Sequence, residues 1–259
     1  MQDPASLRIG CVKYLNARPL VRGWPGQVEF DHPSLLCQQL ANGELDVALV
    51  SSFEFLRNPI YAVVDDIAIA SDGPVYSVFV AAAHGTWPSE VELDPASTTA
   101  VALLRYLMAD RGQKLLGVDA PPDNLLPLAP KRSRLLIGDQ AIRFRQKFGD
   151  TYEYWDLGEE WRGLTRLPFV YALWLIRPEV SDANAIAGCL RALRDQNLAN
   201  LDVLIAAEKD FDQEFCAIYY RDYLRFHFRE EEKKGLRLFQ ELCAKRHLLP
   251  GREIEFRLV

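Results

Sequence analysis

The sequence predicts an α/β protein of two lobes with a ligand-binding cleft between them. Two long apolar segments, residues 75–83 and 167–177, have the character of strands and flank one self-contained α/β block. A chain that leaves one lobe and later returns to it gives this pattern. The 259 residues are enough for two lobes that each have a core. We therefore expect a discontinuous first lobe of residues 1–83 and 177–259 and a second lobe of residues 84–176.

Strand and helix signals alternate along the first lobe. Short apolar runs predict strands at residues 7–12, 28–30, 45–50 and 61–70. A helix is predicted from Ser34 to Asn42, because Gly43 suits the left-handed residue that commonly ends a helix.

In the second lobe, Ser97 to Thr99 open an apolar helix, and a strand at residues 134–138 ends beside a carboxylate. Residues 182–247 have helical spacing of apolar positions and are expected to pack on the first lobe. After them, only the tail at residues 253–259 has the character of a strand.

Composition excludes several classes of function. The formal charge of −6 argues against a general nucleic-acid binder, which needs a basic face. The five cysteines are scattered and form no C-x-x-C pair, so we expect neither a disulfide framework nor a zinc site. The first residues lack the parts of a signal peptide, and no apolar run approaches the ~20 residues of a membrane span. We expect a cytoplasmic protein that binds neither nucleic acid nor membrane.

The most informative segment directly follows the first strand. Lys13, Tyr14, Asn16 and Arg18 lie there, ahead of Pro19. In α/β folds, ligands bind beyond the carboxyl ends of the strands. Because no Gly-rich phosphate loop is present, these side chains indicate a small polar ligand rather than a nucleotide. An Asx turn ahead of the proline is the alternative role for Asn16.

Hydroxyl groups follow or interrupt other predicted strands. Ser51 and Ser52 end a buried strand, where each can contact a ligand or cap the next helix. Ser77 lies within an apolar strand and needs a hydrogen-bond partner, either a ligand or a backbone carbonyl.

The start of the second-lobe helix carries the hydroxyls of Ser97, Thr98 and Thr99 beside unpaired backbone N–H groups, a combination that binds carboxylates. Asp139 follows the small Gly138 and is either a base, a ligand-orienting group or a helix cap. The four histidines are isolated, and no serine- or cysteine-hydrolase motif is present.

Several motifs occur in order along the chain: Tyr14-Leu15-Asn16-x-x-Pro19-Leu20, Gly43 to Ser52, Ser71 to Val78, Leu93-Asp94-x-x-Ser97-x-Thr99, Leu136 to Ala141, and Asp156-Leu157-Gly158-x-x-Trp161 followed by Leu167 to Ala172. This ordered set closely resembles the chorismate dehydratases of the futalosine pathway of menaquinone biosynthesis. Ala100 departs from the pattern, where a further serine is expected. The resemblance covers residues 7–177 with specific motifs and the helical tail more loosely.

The resemblance implies a fold like that of the type II periplasmic binding proteins, used by an enzyme. The implied reaction is a carbon–oxygen lyase reaction that removes water from chorismate to give 3-[(1-carboxyvinyl)oxy]benzoate, without a metal or an organic cofactor. The helix start at Ser97 to Thr99 would hold one substrate carboxylate, and Arg18 or Lys13 the other. Asn16 and Ser77 would orient the enolpyruvyl carboxylate or the leaving hydroxyl.

The base of this reaction is either Asp139 or the side-chain carboxylate of the substrate itself. Two other functions stay open: a solute-binding or ligand-sensing protein for a small carboxylate, and the sibling enzyme that makes 1,4-dihydroxy-6-naphthoate. The sibling family has a different opening motif, so the Tyr14-Leu15-Asn16 form favours the dehydratase. The sequence leaves open whether two chains form a homodimer.

Overall fold

The computed structural model describes residues 6–86, 90–93, 98–121 and 124–259 of the chain. The strands, in chain order, are β1 (Ile9–Val12), β2 (Val28–Asp31), β3 (Val47–Ser51), β4 (Ala62–Ser71), β5 (Val78–Ala82), β6 (Glu90–Leu93), β7 (Leu116–Asp119), β8 (Ser133–Ile137), β9 (Glu153–Asp156) and β10 (Phe169–Ile176). The α-helices are α1 (Arg18–Val21), α2 (Pro33–Asn42), α3 (Ser52–Arg57), α4 (Thr98–Asp110), α5 (Gly138–Phe148), α6 (Leu157–Thr165), α7 (Ala183–Ala199), α8 (Leu201–Ala206), α9 (Gln213–Ile218) and α10 (Glu230–Lys245).

The first sheet has the strand order β2-β1-β3-β10-β4. Strand β1 runs parallel to β2 and β3, whereas β10 runs antiparallel to β3 and β4. All residues from Val47 to Val50 are buried, as strands covered on both faces require. The predicted helix over residues 34–42 is confirmed as α2, which ends at Gly43 with φ of 81°.

The second sheet repeats this arrangement with the order β7-β6-β8-β5-β9. Strand β6 runs parallel to β7 and β8, and β5 runs antiparallel to β8 and β9. In each sheet, the strand that runs antiparallel to its neighbours is the first one formed after the chain has crossed from the other sheet. This strand is β10 in the first sheet and β5 in the second. The chain therefore crosses between the sheets twice, once before β5 and once before β10.

The assignment of β5 and β10 to the two sheets differs from the lobe limits expected from the sequence. Those limits put residues 78–82 in the first lobe and residues 169–176 in the second, whereas the hydrogen bonds pair each strand in the opposite sheet. Both strands are fully apolar, and such a run does not encode which of two neighbouring sheets it joins. Two segments connect the sheets: residues 72–77, which precede β5, and residues 157–168, which precede β10.

One buried carboxylate joins the two connections. Asp156 caps α6 by accepting from the N–H groups of Gly158 at 2.9 Å and Glu159 at 3.2 Å. It also accepts from the N–H groups of Val75 at 3.1 Å and Tyr76 at 2.8 Å in the other connection. Burial raises the pKa of Asp156, while these four donors favour its ionised form. This one side chain therefore joins both connections between the lobes.

The C-terminal segment packs on the first sheet, where α7 contacts β4 and α10 contacts β10. It is less uniformly helical than the sequence predicts. Arg225 forms a bridge with Ala70 of β4, in which the two residues exchange backbone hydrogen bonds of 2.9 and 2.8 Å. A π-helical turn, Tyr219–Tyr223, precedes that bridge. The predicted tail strand is reduced to one bridge between Val63 and Leu258. Every helix in the described residues is too short or too polar to cross a lipid bilayer.

Candidate active site

A cavity lies between the two lobes, where the ends of β1, β3 and β8 meet. About 630 Å³ of space free of protein atoms lies here, and this figure includes the part that is open to solvent. The polar and aromatic side chains of its wall are Tyr14, Asn16, Ser51, Ser77, Thr98, Thr99 and Tyr171. The cavity therefore combines hydroxyl, amide and phenol groups from both lobes.

Three hydroxyl groups from the two lobes form one cluster in the cavity wall. Thr98 donates to Ser51 through their hydroxyls at 2.9 Å, and the hydroxyls of Ser51 and Thr99 are also hydrogen-bonded. The Thr99 hydroxyl accepts from the N–H of Phe53 at 3.2 Å. The starts of α3 and α4 therefore face each other, and the dipole of the 13-residue helix α4 favours an anion at this end.

A second polar group lies on the hinge side of the cavity. The hydroxyl of Tyr219 donates to Ser77 Oγ at 2.7 Å, and the side chain of Asn16 lies near the same hydroxyl. Ser77 and Tyr219 are both fully buried. Asn16 Oδ1 is buried and has no hydrogen-bond partner among the described residues. A ligand that donates to this oxygen would remove an energetic penalty.

The aromatic ring of Tyr14 closes against the backbone at Gly138. A Cβ atom at Gly138 would lie 2.8 Å from Tyr14 Cδ2, and the φ of this glycine is +58°. Both observations require glycine at this position. The N–H of Gly138 donates to the carbonyl oxygen of Ser77 at 2.8 Å, which links α5 to the hinge.

The described wall of the cavity contains no side chain of lysine, arginine, histidine, aspartate or glutamate. An anionic ligand would therefore be held by hydroxyl and backbone N–H groups rather than by an ion pair. The described residues also contain no group of three or more His, Cys, Asp or Glu placed to hold a metal.

Arg18 lies outside this wall, in contrast to its predicted role in substrate binding. Its guanidinium forms ion pairs with Glu208 and with Asp210, the latter at 2.8 Å. The Glu208 side chain is only 2% exposed, so the arginine is held by a nearly buried carboxylate. Lys13 is exposed and lines a neighbouring cavity with Arg18. Neither cation contributes to the cavity between the lobes.

Asp139 and Ser52 have structural partners instead of facing the cavity. The carboxylate of Asp139 lies in the first turn of α5 and accepts from the N–H of Leu15 at 2.7 Å. Burial raises the pKa of Asp139 to about 6, although the Leu15 N–H and the charge of Arg18 lower it. The fully buried Ser52 donates to the carbonyl oxygen of Val170 at 2.7 Å.

The structure thus brings together most of the candidate site residues: Tyr14, Asn16, Ser51, Ser77, Thr98 and Thr99. Ser97 falls outside the described residues. Reasoning from the sequence missed Tyr219 and did not place Tyr171 at the cavity. Tyr171 lies on β10 and hydrogen-bonds to Ser71 through their hydroxyls at 3.1 Å. Tyr219 lies in an aromatic helical run that carries no local signal of a site.

Comparison with known proteins agrees with this architecture. A sequence profile described as menaquinone biosynthesis matches residues 7–245. The chain belongs to this menaquinone biosynthesis family. The chorismate dehydratase of Thermus thermophilus is 30% identical over 256 residues, which cover 90% of this chain and 93% of that protein.

Two solved structures show the same fold at low sequence identity. A protein of Archaeoglobus fulgidus has a TM-score of 0.77 and 18% identity, covering 94% of this chain and 98% of its own. The alkanesulfonate-binding protein of Xanthomonas axonopodis, bound to MOPS, has a TM-score of 0.68 and 14% identity, covering 98% and 97% of the two chains. The predicted fold, similar to periplasmic binding proteins, is confirmed.

Proposed function

We propose that this protein is a chorismate dehydratase that converts chorismate to 3-[(1-carboxyvinyl)oxy]benzoate and water in menaquinone biosynthesis by the futalosine pathway. The observation that carries the proposal is the match to the chorismate dehydratase of Thermus thermophilus over 90% of this chain and 93% of that protein. Because both chains are covered almost completely, the likeness extends over both lobes and the cavity between them.

The cavity suits a dianionic substrate without an ion pair. One carboxylate would accept from the N–H groups at the start of α4 and from the Thr98 hydroxyl, which would turn away from Ser51 to donate to it. Helix N-termini bind carboxylates because their first N–H groups lack partners within the helix. Since α4 is 13 residues long, its dipole is fully developed at this end.

The elimination can be written with every bond accounted for. The C3–H bond breaks, and its electron pair becomes the new C3–C4 double bond as the C4–O bond breaks. The base takes the C3 proton and passes a proton to the departing hydroxide, which leaves as water. Negative charge that develops at C3 is delocalised toward the ring carboxylate, so hydrogen bonds to that carboxylate stabilise the transition state. Formation of the aromatic ring drives the reaction.

The base in this proposal is the enolpyruvyl carboxylate of the substrate. The described cavity wall supplies no acidic or basic side chain, and Asp139 accepts from Leu15 outside that wall. A carboxylate enclosed among apolar groups without a cation becomes more basic, because burial disfavours its charge. The protein then contributes positioning and the exclusion of water.

Asn16 and Ser77 bind the C4 hydroxyl in this proposal. They lie together on the hinge side of the cavity, where Ser77 accepts from the Tyr219 hydroxyl and Asn16 lies near that hydroxyl. A hydroxyl can donate to the unpaired Asn16 Oδ1 and accept from Ser77, whereas a carboxylate can only accept. This assigns the two polar groups of the cavity to different ends of the substrate.

Incubation of the purified protein with chorismate, followed by chromatography and mass spectrometry, tests the function. We expect an aromatic product lighter than chorismate by one water, and an Asp139→Asn variant that keeps turnover within a few-fold of wild type. Binding of chorismate without turnover would instead support the solute-binding alternative. A homodimer and a cytoplasmic location stay predictions.

A further inference from the structure

Tyr219 is a buried tyrosine whose hydroxyl contacts two proposed site residues from different segments of the chain. It lies at the first position of the π-helical turn Tyr219–Tyr223. Such turns are rare and occur often at functional sites. The ring stacks on Phe215 with a centroid distance of 5.5 Å and an angle of 15°. Packing therefore fixes the position of its hydroxyl.

The hydrogen bonds of Tyr219 have a defined direction. Its O–H donates to Ser77 Oγ at 2.7 Å. Since a phenol has one proton, its oxygen can only accept from other groups, and of the nearby Asn16 amide only the NH2 group can donate to it. Asn16 Oδ1 is then left as an acceptor, in agreement with its lack of a partner among the described residues. The proton of Ser77 is left to donate elsewhere.

We propose that Tyr219 is a positioning residue that holds Asn16 as an acceptor and Ser77 as a donor, so that the cavity selects a ligand with a hydroxyl group between them. This inference rests on the proposed function, in which that group is the C4 hydroxyl of chorismate. A ligand that carries hydrogen in place of this hydroxyl leaves both groups unpaired, and buried unpaired groups reject such analogues strongly.

The surroundings of Tyr219 keep its proton in place. Burial raises the pKa of Tyr219 well above the ordinary value for tyrosine, with nearby Asp139 acting in the same direction. Chains of hydrogen bonds polarise one another, so the Tyr219 bond strengthens the donation from Ser77. Donation to the departing oxygen helps the C4–O bond to break.

The test compares Tyr219→Phe with Tyr61→Phe. Both tyrosines are almost fully buried, and Tyr61 lies outside the cavity wall. We expect Tyr219→Phe to lower kcat by about 10- to 100-fold, with a smaller change in KM. The wild-type preference for binding chorismate over its 4-deoxy analogue, measured by calorimetry, should fall at least tenfold. The Tyr61→Phe variant should keep both values within about twofold of wild type.

A readout that needs no turnover separates this inference from the proposed function. The side-chain amide signal of Asn16, assigned in ¹⁵N spectra by its loss in Asn16→Ala, should shift in Tyr219→Phe and stay in place in Tyr61→Phe. An unmoved signal, or an unchanged preference for the hydroxyl-bearing ligand, overturns the positioning role even if kcat falls. If the wild type neither binds nor converts chorismate, the proposed function fails and the amide signal alone decides whether Tyr219 orders Asn16.

Discussion

Replacement of Gly138 by alanine should damage the active site more than it damages the fold. The new Cβ would lie 2.8 to 2.9 Å from three ring atoms of Tyr14. Normal carbon contacts are about 3.5 to 4.0 Å, so the ring must move by roughly 0.7 Å or more. A misplacement of about 1 Å near the reacting groups can cost about 100-fold in rate. We therefore expect kcat/KM for chorismate to fall by about 10- to 100-fold.

Gly112→Ala is the matched control, because it separates the contact with Tyr14 from backbone strain. Gly112 has φ of +70°, close to the +58° of Gly138, but a Cβ there meets nothing within 4 Å. Both variants should lose about 1 to 2 kcal/mol in urea unfolding, the cost of a left-handed non-glycine residue. Only Gly138→Ala should lose activity. Retention of kcat/KM within twofold by Gly138→Ala, or an equal loss in Gly112→Ala, would refute this reasoning.

Three further predictions concern the buried charges. Asp156→Asn turns an NH2 group toward two of the four backbone N–H donors, so the free energy of unfolding in urea should fall by about 2 to 5 kcal/mol. A fall below ~1 kcal/mol would contradict the role of Asp156 in joining the two connections between the lobes. The pKa of Asp139 is raised to about 6, so its contribution to stability is full below its ordinary value of 3.8 and is lost as the pH rises through about 6. Relative to Asp139→Asn, wild type should therefore lose on the order of 2 to 3 kcal/mol of unfolding free energy between pH 4 and pH 7, and a parallel pH dependence of the two proteins would oppose this. Arg18→Met leaves the carboxylate of Glu208 without its ion pair, so the free energy of unfolding in urea should fall by about 3 kcal/mol. KM for chorismate should stay within about threefold of wild type, and a large rise in KM would indicate that Arg18 binds the substrate.

The sequence predicts those parts of the fold that local patterns encode. Strand β3 is predicted by its continuous apolar run, which is typical of a buried strand. Helix α2 is predicted to end before Gly43, because glycine suits the left-handed cap residue. Strands β7 and β9 were not predicted, since the first is largely exposed and the second is polar at both ends. The sheet that an apolar strand joins depends on its partners, so β5 and β10 exchanged lobes relative to the expectation.

In the candidate site, too, local patterns predict some residues, whereas others depend on distant parts of the chain. Asn16 and Ser51 follow strand ends, and the geometry of parallel sheets brings such positions to one cleft. The role of Arg18 depends on Glu208, which lies 190 residues later in the chain. Tyr219 reaches Ser77 because the C-terminal segment folds back onto the first lobe, and no local pattern encodes that contact.

In the proposed function, the cavity between the lobes removes water from chorismate. Turnover of chorismate by wild type and by Ser77→Ala, followed by mass spectrometry of the product, tests it most directly. We expect wild type to form 3-[(1-carboxyvinyl)oxy]benzoate and Ser77→Ala to be slower by about 100-fold, because the departing hydroxyl loses its donor. Equal rates in the two proteins would contradict the account.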